Sequence, residues 1–138
     1  MKITAIHPNF IMPAKGTEKA GAFDVFMPEF GIANGNTQFV GLGFAAAVPD
    51  GHVALLLPRS SAAKTDLELA NTCGVIDSDY RGEWKAALRT KTGLTVSWQP
   101  GDRLLQFLVV PVADVRLELV DELDATERGA GGFGSTGS

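Results

Sequence analysis

Apolar and polar positions alternate along this chain in short runs, and Gly or Pro breaks each run before a helical period can establish itself. Runs rich in Val, Leu, Phe and Thr at such spacing read as strands. The pattern predicts strands at 2–6, 23–27, 37–41, 44–48, 53–57, 84–90, 94–97, 103–111 and 115–119. Pro49-Asp50-Gly51 is a turn signal, because Pro presets φ and Gly accepts the positive φ that follows, and the runs on either side are expected to pair antiparallel. One helix is expected, a short one at 60–64, where a Ser can cap a first turn that Ala62 and Ala63 continue. The fold class that follows is an all-β sandwich or jelly roll.

Composition narrows the picture. With 138 residues, 45% hydrophobic and 20% charged, the chain makes one soluble domain with a sizeable core. Its longest apolar runs fall far short of the roughly 20 residues that span a bilayer. No membrane segment is expected, and a single lysine before Pro8 with no long apolar stretch spells neither a secretory signal nor a transit peptide, so the expected location is cytoplasmic. Cys73 is alone and only two histidines exist, so any metal is expected to be a hard ion held by oxygen. A net charge of −4 argues against general nucleic-acid binding. A polyanionic ligand would have to be met locally by a few arginines.

Five segments carry candidate chemistry. Ala20 to Asp24 ends in a carboxylate at a strand edge. Pro58-Arg59-Ser60-Ser61 brings a guanidinium, two hydroxyls and a helix start to the end of an apolar run, which suits an anion; helix capping alone would also account for the serines. Gly74 to Glu83 is a charged, hairpin-like segment in which Asp77, following an apolar pair, is expected to be half buried and able to orient a water, while Asp79 faces solvent or caps the turn. Gly101-Asp102-Arg103 opens an apolar run as a turn and ion pair, and the interruption Gln106 needs a buried partner or a ligand for its amide. From Arg128 onward the chain holds one cation, one aromatic and many glycines, a grip for phosphate and a ring; composition alone would also fit a frayed tail.

In their order along the chain these segments resemble the five motifs of the trimeric dUTPases, the deoxyuridine triphosphate nucleotidohydrolases. They read AGAFD at 20–24, PRSS at 58–61, GVIDSDYRGEW at 74–84 with Asn71 just upstream, GDRLLQ at 101–106 and RGAGGFGSTG at 128–137. The resemblance implies a jelly-roll domain over 1–127 and a flexible Gly-rich arm over 128–138 that closes over an active site shared in a homotrimer. Arg59, Ser60 and Gln106 would come from one subunit, Asn71, Asp77 and Tyr80 from a second, and Arg128 with Phe133 from the third, and Ser61 would also bind substrate. The reaction implied is hydrolysis of dUTP to dUMP and pyrophosphate by an Asp77-activated water at the α-phosphorus, with Mg²⁺ held mainly by the triphosphate and Asp24 supporting its water shell. Asn71 and the backbone at Gly74 and Val75 would read uracil, Tyr80 would exclude a ribose, and Gly132, Phe133, Gly134 and Ser135 would close the lid.

One departure stands out: Asp66 occupies a position where the family usually has glycine, and it is expected either to strain a left-handed backbone or to add negative charge beside the phosphates. Two other functions remain in view. A dCTP deaminase-like enzyme would have Pro-Gly after the Ile-Asp pair and a catalytic Glu on the next strand, where this chain has Ser78-Asp79-Tyr80 and Lys85. A dUTPase-like nucleotide-sensing binding protein would have no need of a water-activating carboxylate beside a phosphate grip.

Overall fold

Strands dominate residues 1–132, the part of the chain that the computed structural model describes. Among them are β1 (Lys2–Ala5), β2 (Phe23–Val25), β3 (Gly31–Ala33), β4 (Gln38–Gly41), β5 (Phe44–Ala47), β6 (His52–Pro58), β7 (Leu67–Leu69), β8 (Gly74–Ile76), β9 (Lys85–Thr90), β10 (Val96–Trp98) and β11 (Leu105–Pro111). A 3₁₀ turn at Ser60–Lys64 is the helical element among the described residues, at the position the sequence predicts. Antiparallel pairing orders the strands as β2-β11-β6-β8, β4-β9-β7, β1-β5 and β3-β10. The longest ladder joins β6 to β11, from Leu105 opposite Pro58 to Pro111 opposite His52.

An aromatic chain holds the layers together. Trp84 packs 5.1 Å from Phe44 and meets Phe107 edge-on at 5.1 Å, while Phe23 stacks on Phe107 at 5.3 Å. Trp84, Phe44 and Phe107 are fully buried with Met27, Leu56, Leu88 and Leu105. Each such side chain contributes about 1.5–3 kcal/mol by leaving water, and together they tie β2, β5, β6, β9 and β11 to one core.

Three expectations are corrected here. The run 115–119 forms no strand: its alternation is real, but Val115, Leu117 and Leu119 are 69%, 96% and 100% exposed, with no neighbouring strand among the described residues to pair with. Pro49-Asp50-Gly51 does make the predicted turn, with Gly51 at φ 70° and the His52 amide donating to Pro49 O at 3.2 Å, yet β5 and β6 lie in different sheets. The turn is a crossing between layers. Finally, β3, β7 and β8 are three-residue strands that the pattern does not announce, too short to show an alternation.

Candidate active site

The β6–β11 ladder ends at Pro58, and there the first two charged segments meet. Asp24 on β2 is buried, its side chain 11% exposed, and Arg59 Nε lies 2.7 Å from its Oδ1. Arg103 donates to Asp24 Oδ2 at 3.2 Å, so the ion pair expected within the turn runs to Asp24 instead. Asp102 closes that turn by accepting from the Gln99 amide at 2.8 Å. Gln106, opposite Asp24 in the β2–β11 ladder, donates from Nε2 to Pro58 O at 3.1 Å. The half-buried amide therefore has its partner.

Arg59 also occupies the cap position of the 3₁₀ turn without a side-chain capping bond, which leaves Ser60 and Ser61 outside the capping role. Arg59, Ser60 and Gln106 line a cavity of about 530 Å³ together with Leu67, Glu68, Thr72 and Lys91. Ser61 is exposed beside it.

A second cavity, of about 320 Å³, opens along the edge strand β8. Asn71, Gly74, Val75, Asp77 and Tyr80 all line it, together with Phe39, Leu56, Trp84 and Lys85. Gly74 matters sterically, since a Cβ there would sit 3.2 Å from Leu56 Cβ. Asp77 is exposed, correcting the half-buried expectation, because it follows an edge strand that has no outer neighbour among the described residues. Its backbone carbonyl accepts from the Tyr80 amide at 3.2 Å, and Tyr80 Oη donates to Glu83 O at 3.1 Å, which holds the phenol against the turn. Asp79 is exposed as expected.

Between the cavities the backbone is strained. Thr72 has φ 63°, the one left-handed non-glycine residue among those described, and the Cys73 amide reaches Asn71 O at 2.6 Å across it. This is a γ-turn around a β-branched residue, a conformation that costs about 1–2 kcal/mol. Asp66, by contrast, is not left-handed, so the strain expected there is absent. Its carboxylate accepts from Thr92, at 2.8 Å from Oγ1 and 3.1 Å from the amide, and its charge is directed at that loop.

Arg128 lines neither cavity; its Nε donates to Gly131 O at 2.9 Å in a local turn that also includes Gly132's neighbour Gly131 and Gly129. Phe133, Gly134 and Ser135 lie outside the described residues. Among the described residues no group of three His, Cys, Asp or Glu side chains is gathered for a metal ion, and no helix is long and apolar enough to cross a membrane. Lys91 and Thr72 in the first cavity and Phe39 in the second belong to none of the five segments. Phe39, 77% exposed on β4, has a signal in hindsight, an aromatic on the outward beat of its strand; nothing in the sequence marks Thr72.

Residues 8–137 match the dUTPase family model. The deoxyuridine 5'-triphosphate nucleotidohydrolase of Escherichia phage T5 is 40% identical over 148 residues, covering 100% of this chain and 99% of the relative. That of Desulfotalea psychrophila is 42% identical over 130 residues, covering 91% and 87%. Among solved structures, a mutant dUTPase of Staphylococcus bacteriophage 80alpha with dUpNHpp superposes with a TM-score of 0.89 at 23% identity, covering 99% of this chain and 98% of that one. A further phage dUTPase structure, from phage phi11 of S. aureus, is described as coordinating a structural Mg(II) ion.

Proposed function

The chain belongs to the dUTPase family and hydrolyses dUTP, and from that premise we propose how its residues divide the work. The observation that carries the reading is the gathering of Asn71, Gly74, Val75, Asp77 and Tyr80 around one cavity, with Arg59, Ser60 and Gln106 around another. Nucleoside chemistry belongs to the first group and phosphate chemistry to the second.

Asp77 accepts a proton from water as the water oxygen bonds to the α-phosphorus. The bond from that phosphorus to the bridging oxygen breaks, and pyrophosphate leaves with the electron pair. Asn71 and the backbone of Gly74 and Val75 bind the uracil edge, where a cytosine would leave buried polar groups unpaired. Tyr80 packs on the deoxyribose and refuses a 2′-hydroxyl. Arg59, Ser60, Ser61 and Gln106 orient the phosphates, and positioning of this kind is the main contribution a protein makes to phosphoryl chemistry.

The residues present fit a Mg²⁺ that arrives on the triphosphate better than one bound by protein, since Asp24 already faces two guanidiniums and no acidic trio is described. When bound, Mg²⁺ neutralises charge on the phosphates as pyrophosphate leaves. Asp24, which holds Arg59 and Arg103, would support its water shell.

The active unit is a homotrimer in the cytoplasm. The exposed row Val115, Leu117 and Leu119 supports the assembly alone, since an apolar row uncovered in one chain is suited to packing against a second copy. The two cavities are then halves completed by neighbours, and the arm from Arg128 to Ser138, with Gly132, Phe133, Gly134 and Ser135, closes over the substrate. The test is direct: incubate the protein with Mg²⁺ and dUTP, dCTP, dTTP or UTP, and follow pyrophosphate and nucleobase together. Release of pyrophosphate from dUTP alone is expected; loss of the amine from dCTP would mean a deaminase.

A further inference from the structure

Asp66 and Lys91 stand on facing sides of the β7–β9 edge, and the contacts between their loops have no part in the chemistry derived above. Asp66 O accepts from the Lys91 amide at 3.0 Å, and the Asp66 carboxylate accepts from both the amide and the hydroxyl of Thr92. The backbone of residue 91 is thereby fixed beside the 530 Å³ cavity that Lys91 lines with Arg59, Ser60 and Gln106.

The charges around that cavity are unequal. Arg59 is matched by Asp24 at 2.7 Å, and Glu68 by Arg89 at 2.7 Å. Lys91 joins no ion pair among the described residues, although it lines the same cavity. A polyanion entering there meets one cation already balanced by a carboxylate and one that is not, and the unmatched ammonium gains more from the encounter. The flexible four-carbon stem of lysine lets it follow a phosphate as a point charge, without the planar geometry a guanidinium requires.

Resting on the phosphate role given to this cavity, we propose that Lys91 is a further substrate-binding residue, contacting the leaving pyrophosphate part of dUTP, and that Asp66 is the positioning residue that holds it there. An acidic side chain beside a phosphate site thus helps binding indirectly, by bonding to the loop that displays the cation.

The test uses the full-length protein and two readouts: calorimetric binding of inorganic pyrophosphate, and steady-state hydrolysis of dUTP. Lys91→Ala is expected to weaken pyrophosphate binding and raise KM about tenfold with kcat within about twofold of wild type, and Lys91→Arg to recover most of the loss. Asp66→Gly is expected to give a smaller rise in KM and to add nothing to Lys91→Ala, since both act through one side chain. Unchanged pyrophosphate binding and KM in Lys91→Ala, or a fall in kcat alone, overturns the proposal. A wild-type protein that binds pyrophosphate through Lys91 yet leaves dUTP intact would sink the hydrolase reading and leave this one standing.

Discussion

Arg59 Nε meets Asp24 Oδ1 at 2.7 Å, so the loop after β6 is fastened to β2 by an ion pair whose carboxylate is buried. Arg103 shares the same carboxylate from the turn before β11. Three segments far apart in sequence are thereby held in one register, and the Arg59 guanidinium cannot swing freely.

Asp24→Asn should therefore act on stability and binding together. It leaves two partly exposed guanidiniums facing a neutral amide, at a cost of about 2 kcal/mol, below the figure for a fully buried pair because both arginines reach water. The expected result is a lower urea midpoint at unchanged m-value and a raised KM for dUTP. A midpoint equal to wild type would show that the pair contributes little.

Asp77→Asn keeps size and shape while removing the proton acceptor. Loss of a general base lowers kcat by about 10²–10⁴-fold. Binding of a non-hydrolysable dUTP analogue should persist, which separates chemistry from assembly; an active variant would shift the role of base elsewhere.

Gly82 is the counterweight to Tyr80. A Cβ at Gly82 would collide with the Tyr80 Oη and ring edge, so Gly82→Ala has to push the phenol from its place in the second cavity. We expect KM for dUTP to rise about tenfold and the preference for dUTP over UTP to shrink, because a displaced ring no longer excludes the 2′-hydroxyl. Parallel kinetics on the two nucleotides decide it, and undiminished selectivity would take Tyr80 out of sugar discrimination.

Leu117→Asp combined with Leu119→Asp places charge on a row that is almost wholly exposed in one chain. A free monomer would scarcely respond. If the row is covered by a second copy, light scattering will report a smaller particle and activity will fall with it.

The sequence is most legible where one chain satisfies its own pattern. The 3₁₀ turn at Ser60–Lys64 and the ladder-forming run at β11 are local or strongly periodic, and both match expectation. The run 115–119 alternates as cleanly as any strand, but a strand exists only through its neighbour's hydrogen bonds, and periodicity does not say which chain provides them. The partners of Asp24 were equally hidden: Arg103 lies next to Asp102 in sequence, and only the β2–β11 pairing brings it to Asp24. The strain expected at Asp66 rests on the glycine that the family usually has there, but Asp66 has no positive φ, and the left-handed residue is Thr72, whose branched side chain argues against it.

The two cavities draw on different residues of the same chain, with Arg59, Ser60 and Gln106 in one and Asn71, Asp77 and Tyr80 in the other. With sites assembled across chains as proposed, this division has a genetic meaning. An allele lacking Asp77 and an allele lacking Arg59 would each be inactive alone, yet mixed in one cell they would regenerate some sites in which both residues are intact. Two alleles damaged in the same half could never rescue each other. The chain's inheritance would then map its own geometry, sorting mutations by complementation into the two halves that the fold keeps apart.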